Sequence, residues 1–206
     1  MLPTIIHGFL VSGSLIVAIG AQNAFVLKQG LLKQHVFWVC LLCFLCDFIL
    51  LGIGVLGAGS VIAQSPTATI ALSLFGALFL FFYGGRAFVG AYRGNQGLSV
   101  DDTKRANLGK TIATTLALTL LNPHVYIDTV VLIGGITSAL DMSQKYAFLL
   151  GALSASFLWF FGLGFGARLL VGLFAKPITW RILDILIGLI MWVIAINLIN
   201  NTFFVK

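Results

Sequence analysis

The chain has 206 residues, 60% of them hydrophobic and 9% charged, with a mean hydropathy of +1.08. A soluble globular domain carries roughly 25% charged residues, so this composition excludes one and indicates an integral membrane protein. The formal net charge of +6 comes from twelve Lys and Arg against six Asp, with no Glu. These charges stand singly or in pairs at the ends of apolar runs, which orients a chain in a bilayer and does not build a nucleic-acid surface.

Six apolar stretches lie near 4–27, 36–62, 69–92, 110–136, 145–173 and 179–201. Each has the roughly 20 residues needed to cross hydrocarbon. Lipid offers backbone groups no partner, and the runs lack strand alternation, so the predicted fold class is an all-α integral membrane protein with six transmembrane helices. The first run, MLPTIIHGFLVSGSLIVAIG, has neither a basic leader nor a small-residue cleavage site and is expected to be retained. It continues as AIGAQNAFVL, where Gly20 loosens the helix and Gln22 and Asn23 offer amides at mid-depth. Such amides either bind a ligand or glue helices together.

In the second run Cys40, Cys43 and Cys46 recur at a spacing of three and so keep to one broad side of a helix. Buried packing suits them; a redox or metal site is the other reading. Asp47 follows inside the same apolar run. A carboxylate there needs a cation, a proton or a hydrogen-bond donor. No Lys or Arg stands at matching depth in another run, so Asp47 is expected to be protonated or balanced by a transported species. Gly52, Gly54, Gly57 and Gly59, with Gly162, Gly164 and Gly166, form glycine faces suited to close helix contact. Trp38 and Trp180 lie near run ends, as interfacial anchors do.

A polar, aperiodic stretch from Arg93 to Lys110 divides a single membrane domain into a first repeat, 1–92, a linker, 93–109, and a second repeat, 110–206. The ends and loops joining runs 1–2, 3–4 and 5–6 hold ten Lys and Arg, against Lys145 and Lys206 on the other side. That bias places the linker in the cytoplasm and both termini outside.

The fourth run, LTLLNPHVYIDTVVL, combines Asn122, Pro123, His124, Tyr126 and Asp128. Proline inside a helix costs about 3 kcal/mol, and a charged Asp near the bilayer centre roughly 2.5–3.5 kcal/mol. The run is therefore expected to break into half-helices whose freed amides and carbonyls suit a carboxylate and a cation. His124 and Asp128 are four apart, as are Asn122 and Tyr126, giving two polar stripes if the second half is helical. The halves also echo one another: LFGALFL at Leu74 with LIGLIMW at Leu186, and IGAQN at Ile19 with LNPHV at Leu121. Three runs per half means that equivalent halves face opposite ways, the inverted repeat of secondary transporters, with spans 1 and 4 broken.

The stretches AIGAQNAFVLKQG, LNPHVYIDT and SASFLWFFG, with Asp47 between the first two, resemble the LysE family of amino acid exporters, in order and over nearly the whole chain. The likeness is greatest to the branch that exports arginine. It implies a secondary transporter in the bacterial inner membrane that moves basic amino acids, L-arginine and as a second candidate L-lysine, outward with proton or other ion coupling. The family pattern in the first run is P-x-G-P-Q-N, and this chain has Ala18 and Ala21 where the prolines stand, so its first break rests on Gly20. The expected substrate-binding residues are Asp47, Asp128, Gln22, Asn23, Asn122, Gly20, Pro123, His124 and Tyr126. The expected partners are a basic amino acid, a coupling ion and the bilayer, with a homo-oligomer left open. No cofactor, resident metal or enzymatic activity is expected. Two rivals remain: a divalent metal transporter using Asp47, Asp128 and His124, and a membrane thiol oxidoreductase built on the cysteine run.

Overall fold

The computed structural model describes residues 1–17, 20–56, 66–93, 107–170 and 177–203, and these are helical without a strand among them. Most of the linker, Ala18, Gly57 and Gly59 lie outside the described residues. The helices are α1 (Leu2–Ile16), α2 (Ala21–Leu32), α3 (Val36–Leu56), α4 (Pro66–Arg93), α5 (Leu108–Leu120), α6 (Pro123–Tyr126), α7 (Ile133–Thr137), α8 (Met142–Gly166) and α9 (Pro177–Phe203). A π-helical segment, Ile127–Leu132, joins α6 to α7, and a 3-10 turn, Ala167–Leu170, extends α8.

Local sequence explains where these helices begin. All four prolines, Pro3, Pro66, Pro123 and Pro177, stand in the first turn of a helix. There the missing amide has no intrahelical partner and the fixed φ suits the helix. At the start of α5 the Asn107 side chain accepts from the amides of Gly109 and Lys110. Asp141 and Gln144 form a reciprocal capping box at the start of α8.

Three of these helical stretches are long and apolar enough to cross a membrane: Val36–Leu56, Met142–Leu170 and Ile178–Asn197. The bent pair α1 and α2, at 84° to each other, makes a fourth if read as one span. The remaining expected spans contain shorter apolar helices, Ala77–Tyr92, Leu108–Leu120 and Asp128–Thr137. The chain is therefore a multi-pass membrane protein.

Packing is most extensive between α4 and α9 and between α1 and α8, while α3 lies against α8, α5 and the π segment. Glycine permits the closest crossings. A Cβ on Gly8 would run into the Phe148 carbonyl, one on Gly30 into the Gly164 carbonyl, and one on Gly54 into the Thr129 carbonyl. Gly52, Gly162 and Gly166 have no neighbour within 4 Å, so within the two glycine faces Gly54 and Gly164 make the contact. Cys40, Cys43 and Cys46 are free thiols buried in the α3 wall, and the Cys40 thiol donates to the Phe160 carbonyl at 3.1 Å. Trp38 is exposed, as an anchor would be, but Trp180 is only 1% exposed. It belongs to the main core with Leu183, Ile187 and Met191, because the first turn of α9 turns that ring inward.

Candidate functional site

Two interruptions meet at one cavity. The first separates α1 from α2: α1 ends at Ile16, and Gly20, extended at φ −131° and ψ 174°, precedes α2 without any side-chain cap. A helix start leaves its first amides without intrahelical partners. The second separates α5 from α6 at Leu121 and Asn122. The break in the first span thus forms without the prolines of the family pattern.

Each break is held by a side chain from its second half-helix. The Asn23 amide donates to the Ile16 carbonyl at 2.7 Å, at the end of α1, and its oxygen accepts from the Trp159 indole at 3.2 Å. The Tyr126 hydroxyl donates to the Leu120 carbonyl at 2.9 Å, at the end of α5. These bonds occupy carbonyls that a helix end otherwise leaves open, which matters more where no water is at hand.

The cavity has a volume of about 220 Å³. Gly20, Ala21, Gln22 and Asn23 come to it from the first break, Asn122, Val125, Asp128 and Thr129 from the second, and Asp47, Phe160 and Ile194 from α3, α8 and α9. Drug-sized ligands take pockets of roughly 300–1,000 Å³, so this one is scaled to a single small metabolite. Its two carboxylates differ in setting. Asp47 is 6% exposed and its Oδ2 accepts from the Ser156 hydroxyl at 2.7 Å. Asp128 is half-buried and sits in the π segment, where its backbone carbonyl takes the amide of Ile133 five residues on. A π turn widens the helix and shifts the faces of the residues in it, and such turns are frequent at functional sites. Gln22 lies against the Cys43 thiol, a weak acceptor, and its buried Nε2 makes no other hydrogen bond.

Of the residues expected at a site, Gly20, Gln22, Asn23, Asp47, Asn122 and Asp128 line this cavity. Tyr126 does not; it is turned to Leu120. The side chains of Pro123 and His124 lie outside the described residues.

A family model described as LysE type translocator matches residues 13–202. The chain belongs to this family. It is 39% identical over 198 residues to the protein named Arginine exporter protein ArgO in Salmonella typhimurium, covering 96% of this chain and 94% of that one, and equally so to the protein of that name in Salmonella newport. It is also 39% identical to "Putative amino-acid transporter YggA" of Aeromonas salmonicida, over 98% of both chains. No solved structure matches it. As a LysE-type translocator it is a transporter and not an enzyme.

Sequence reasoning missed several residues that build the LysE-type cavity. Ser156 supplies the donor to Asp47, and Trp159 holds Asn23. Both lie in SASFLWFFG, one of the stretches that carry the family resemblance, so the signal was present but silent about partners. Missed too was Asp184, fully buried on α9 and paired with Lys28 of α2 at 2.6 Å.

Proposed function

We propose that this LysE-type translocator exports basic amino acids, L-arginine first and L-lysine second, from the bacterial cytoplasm across the inner membrane, coupled to proton entry. The observation that carries this reading is the pairing of two carboxylates, Asp47 and Asp128, with the open start of α2 and the buried Gln22 Nε2 in one small cavity. The carboxylates meet the cationic groups of the solute, and the α2 amides with Gln22 meet its carboxylate. The relatives named as arginine exporters support the choice of substrate. A carboxylate that holds either the cation or a proton exchanges one for the other, which is the minimal chemistry of proton-coupled export.

The reading includes six spans in two inverted repeats, with a gate on each side of a fixed central site. Three correspondences support it. The Asn23 and Tyr126 bonds close the two breaks in the same manner. Gly30 of α2 meets Gly164 of α8, while Gly134 of α7 meets Gly54 of α3. Asp47 on α3 faces Ser156 on α8 across the same pair of helices. In the first two cases a contact in one half has its counterpart in the other, and in the third the two helices are themselves counterparts.

Counterflow in proteoliposomes tests the function directly. Vesicles loaded with unlabelled arginine should accumulate labelled arginine, with competition by lysine and none by a neutral amino acid or by zinc. Exchange of zinc without exchange of arginine would replace this reading with that of a metal transporter.

A further inference from the structure

A second, larger cavity of about 390 Å³ opens between α2, α4 and α5. Its polar lining includes Lys28, Gln29, Tyr83, Arg86 and Lys110. Between it and the central cavity runs a seam without open volume, which shares Ala21, Asn122 and Ile194 with the central cavity and Phe79 with the outer one. The wall between the two cavities is thus closed and built in part from residues of both. Arg86 and Lys110 flank the linker that the charge bias places in the cytoplasm, so the outer cavity stands on the side from which an exported solute enters.

Two buried acceptors lack donors, one on the cavity wall and one behind it, paired with the wall residue Lys28. Gln29 is 7% exposed and its Oε1 has no partner. Asp184 is fully buried, and while its Oδ1 takes Lys28 Nζ at 2.6 Å, its Oδ2 has none. Buried acceptors without donors are rare and ask for an explanation. Lys28 reaches Asp184 from the cavity wall, so it stands between this carboxylate and the cavity. A group that brought several N–H donors would satisfy both acceptors better than one ammonium does. A guanidinium has five donors in a fixed fork, and an ammonium three.

We infer that this cavity is an entry site for the basic amino acid, in which the side-chain cation of the solute displaces Lys28 from Asp184 and donates to Gln29, while Arg86 and Lys110 take its carboxylate. Lys28 is then a tethered stand-in for the substrate, holding the carboxylate until cargo arrives. Its release frees α2, the half-helix that begins at the central site, from α9. The inference rests on the proposed export of basic amino acids and adds a residue set remote from Asp47 and Asp128.

The test is the KM for arginine at the linker side, measured in everted vesicles, with labelled lysine alongside. Asp184→Asn removes the carboxylate and should raise that KM severalfold. Lys28→Met removes the internal rival and should lower it. A pair that only holds helices together predicts the same sign for both: fewer folded transporters, lower Vmax and an unchanged KM. Where either variant fails to insert, Lys28→Arg and Gln29→Leu decide. The first keeps the charge but grips Asp184 with two donors, and the second deletes the orphan acceptor in a side chain of similar bulk. Both should raise the KM, and wild-type values in both would overturn the entry site. Absence of arginine transport by the wild type would instead overturn the proposed function itself.

Discussion

Ala21→Pro probes the first break at the point where this chain departs from the family pattern. Ala21 is the first residue of α2, so its amide has no intrahelical acceptor to lose. Residues before proline are driven to extended backbone, and Gly20 already has φ −131° and ψ 174°. Ala21 is buried but borders the central cavity, the open side toward which neighbours can shift to admit the added ring carbons. Where native backbone accepts proline, the gain from a restricted unfolded chain is about 0.4–1 kcal/mol, or roughly 1–4 °C in Tm for a chain of this size. The contrasting variant is Leu78→Pro, in the interior of α4, where the ring removes the bond to the carbonyl of Leu74 and costs about 3 kcal/mol or more. Thermal unfolding in detergent and arginine counterflow in proteoliposomes read both. Ala21→Pro should insert, melt no lower than wild type and transport, since the amides of Gln22 and Asn23 remain to meet a carboxylate. Leu78→Pro should lose both stability and transport. Equal damage from the two substitutions would show that residues 20 and 21 are not a helix start and would sink the two-break site.

Other perturbations separate support from binding. Asn23→Ala deletes both the bond to Ile16 and the acceptor of Trp159, and with each membrane hydrogen bond worth about 0.6 to 1.7 kcal/mol it should lower stability by about 1–3 kcal/mol. Lost arginine binding at unchanged Tm would instead make Asn23 a direct ligand. Asp47→Asn keeps size and the Ser156 contact but removes the charge, so counterflow should fall to near background in a variant that still inserts; wild-type rates would end its assigned role. Cysteines placed in the 93–109 linker, with Cys40, Cys43 and Cys46 replaced, should be shielded from impermeant thiol reagents in intact cells, while one near Lys206 reacts. The carboxyl of Asp141 is held below its ordinary range by the Ser143 hydroxyl and the Gln144 amide. Because the folded value is the lower one, this cap is fully effective above the unfolded value of about 3.9 and is lost as pH falls through the folded value. Asp141→Asn, still a good cap, should remove that acid sensitivity from amide exchange at the start of α8.

Features that are expensive in lipid were legible in the sequence. Asp47 and Asp128 stand out because a carboxylate deep in an apolar run must be compensated, and both line the central cavity. The second break was legible from Pro123, whose position at the start of α6 follows from its missing amide. The first was legible from Gly20 alone, and the bond from Asn23 to Ile16 explains why one glycine suffices there. The π turn at Asp128 carried no signal. An extra residue in a turn leaves composition and spacing unchanged, so the stripe assumed from four-residue spacing did not anticipate it.

Partners were much harder to read than costs. A serine in a helix rich in alanine and serine is cheap wherever it faces, so nothing singled out Ser156 before Asp47 was seen against it. Lys28 and Asp184 each stand near the end of an apolar run, where a charge reaches the headgroups at little expense and serves orientation. Counted that way, Lys28 belonged to the cytoplasmic bias and Asp184 went unremarked. The 84° turn between α1 and α2 changes their meaning, because a bent span brings Lys28 to the flank of α9, where it pairs with the buried Asp184. A charge count along the chain assumes straight spans, and the residues whose role it misjudges are those carried by the broken one. Trp180 misleads for another reason: it sits at the start of an unbroken run, and the first turn of α9 turns its ring into the core. Depth in a membrane is a property of the folded path, and in a translocator built around broken helices that path departs from sequence order at the breaks that line the central cavity.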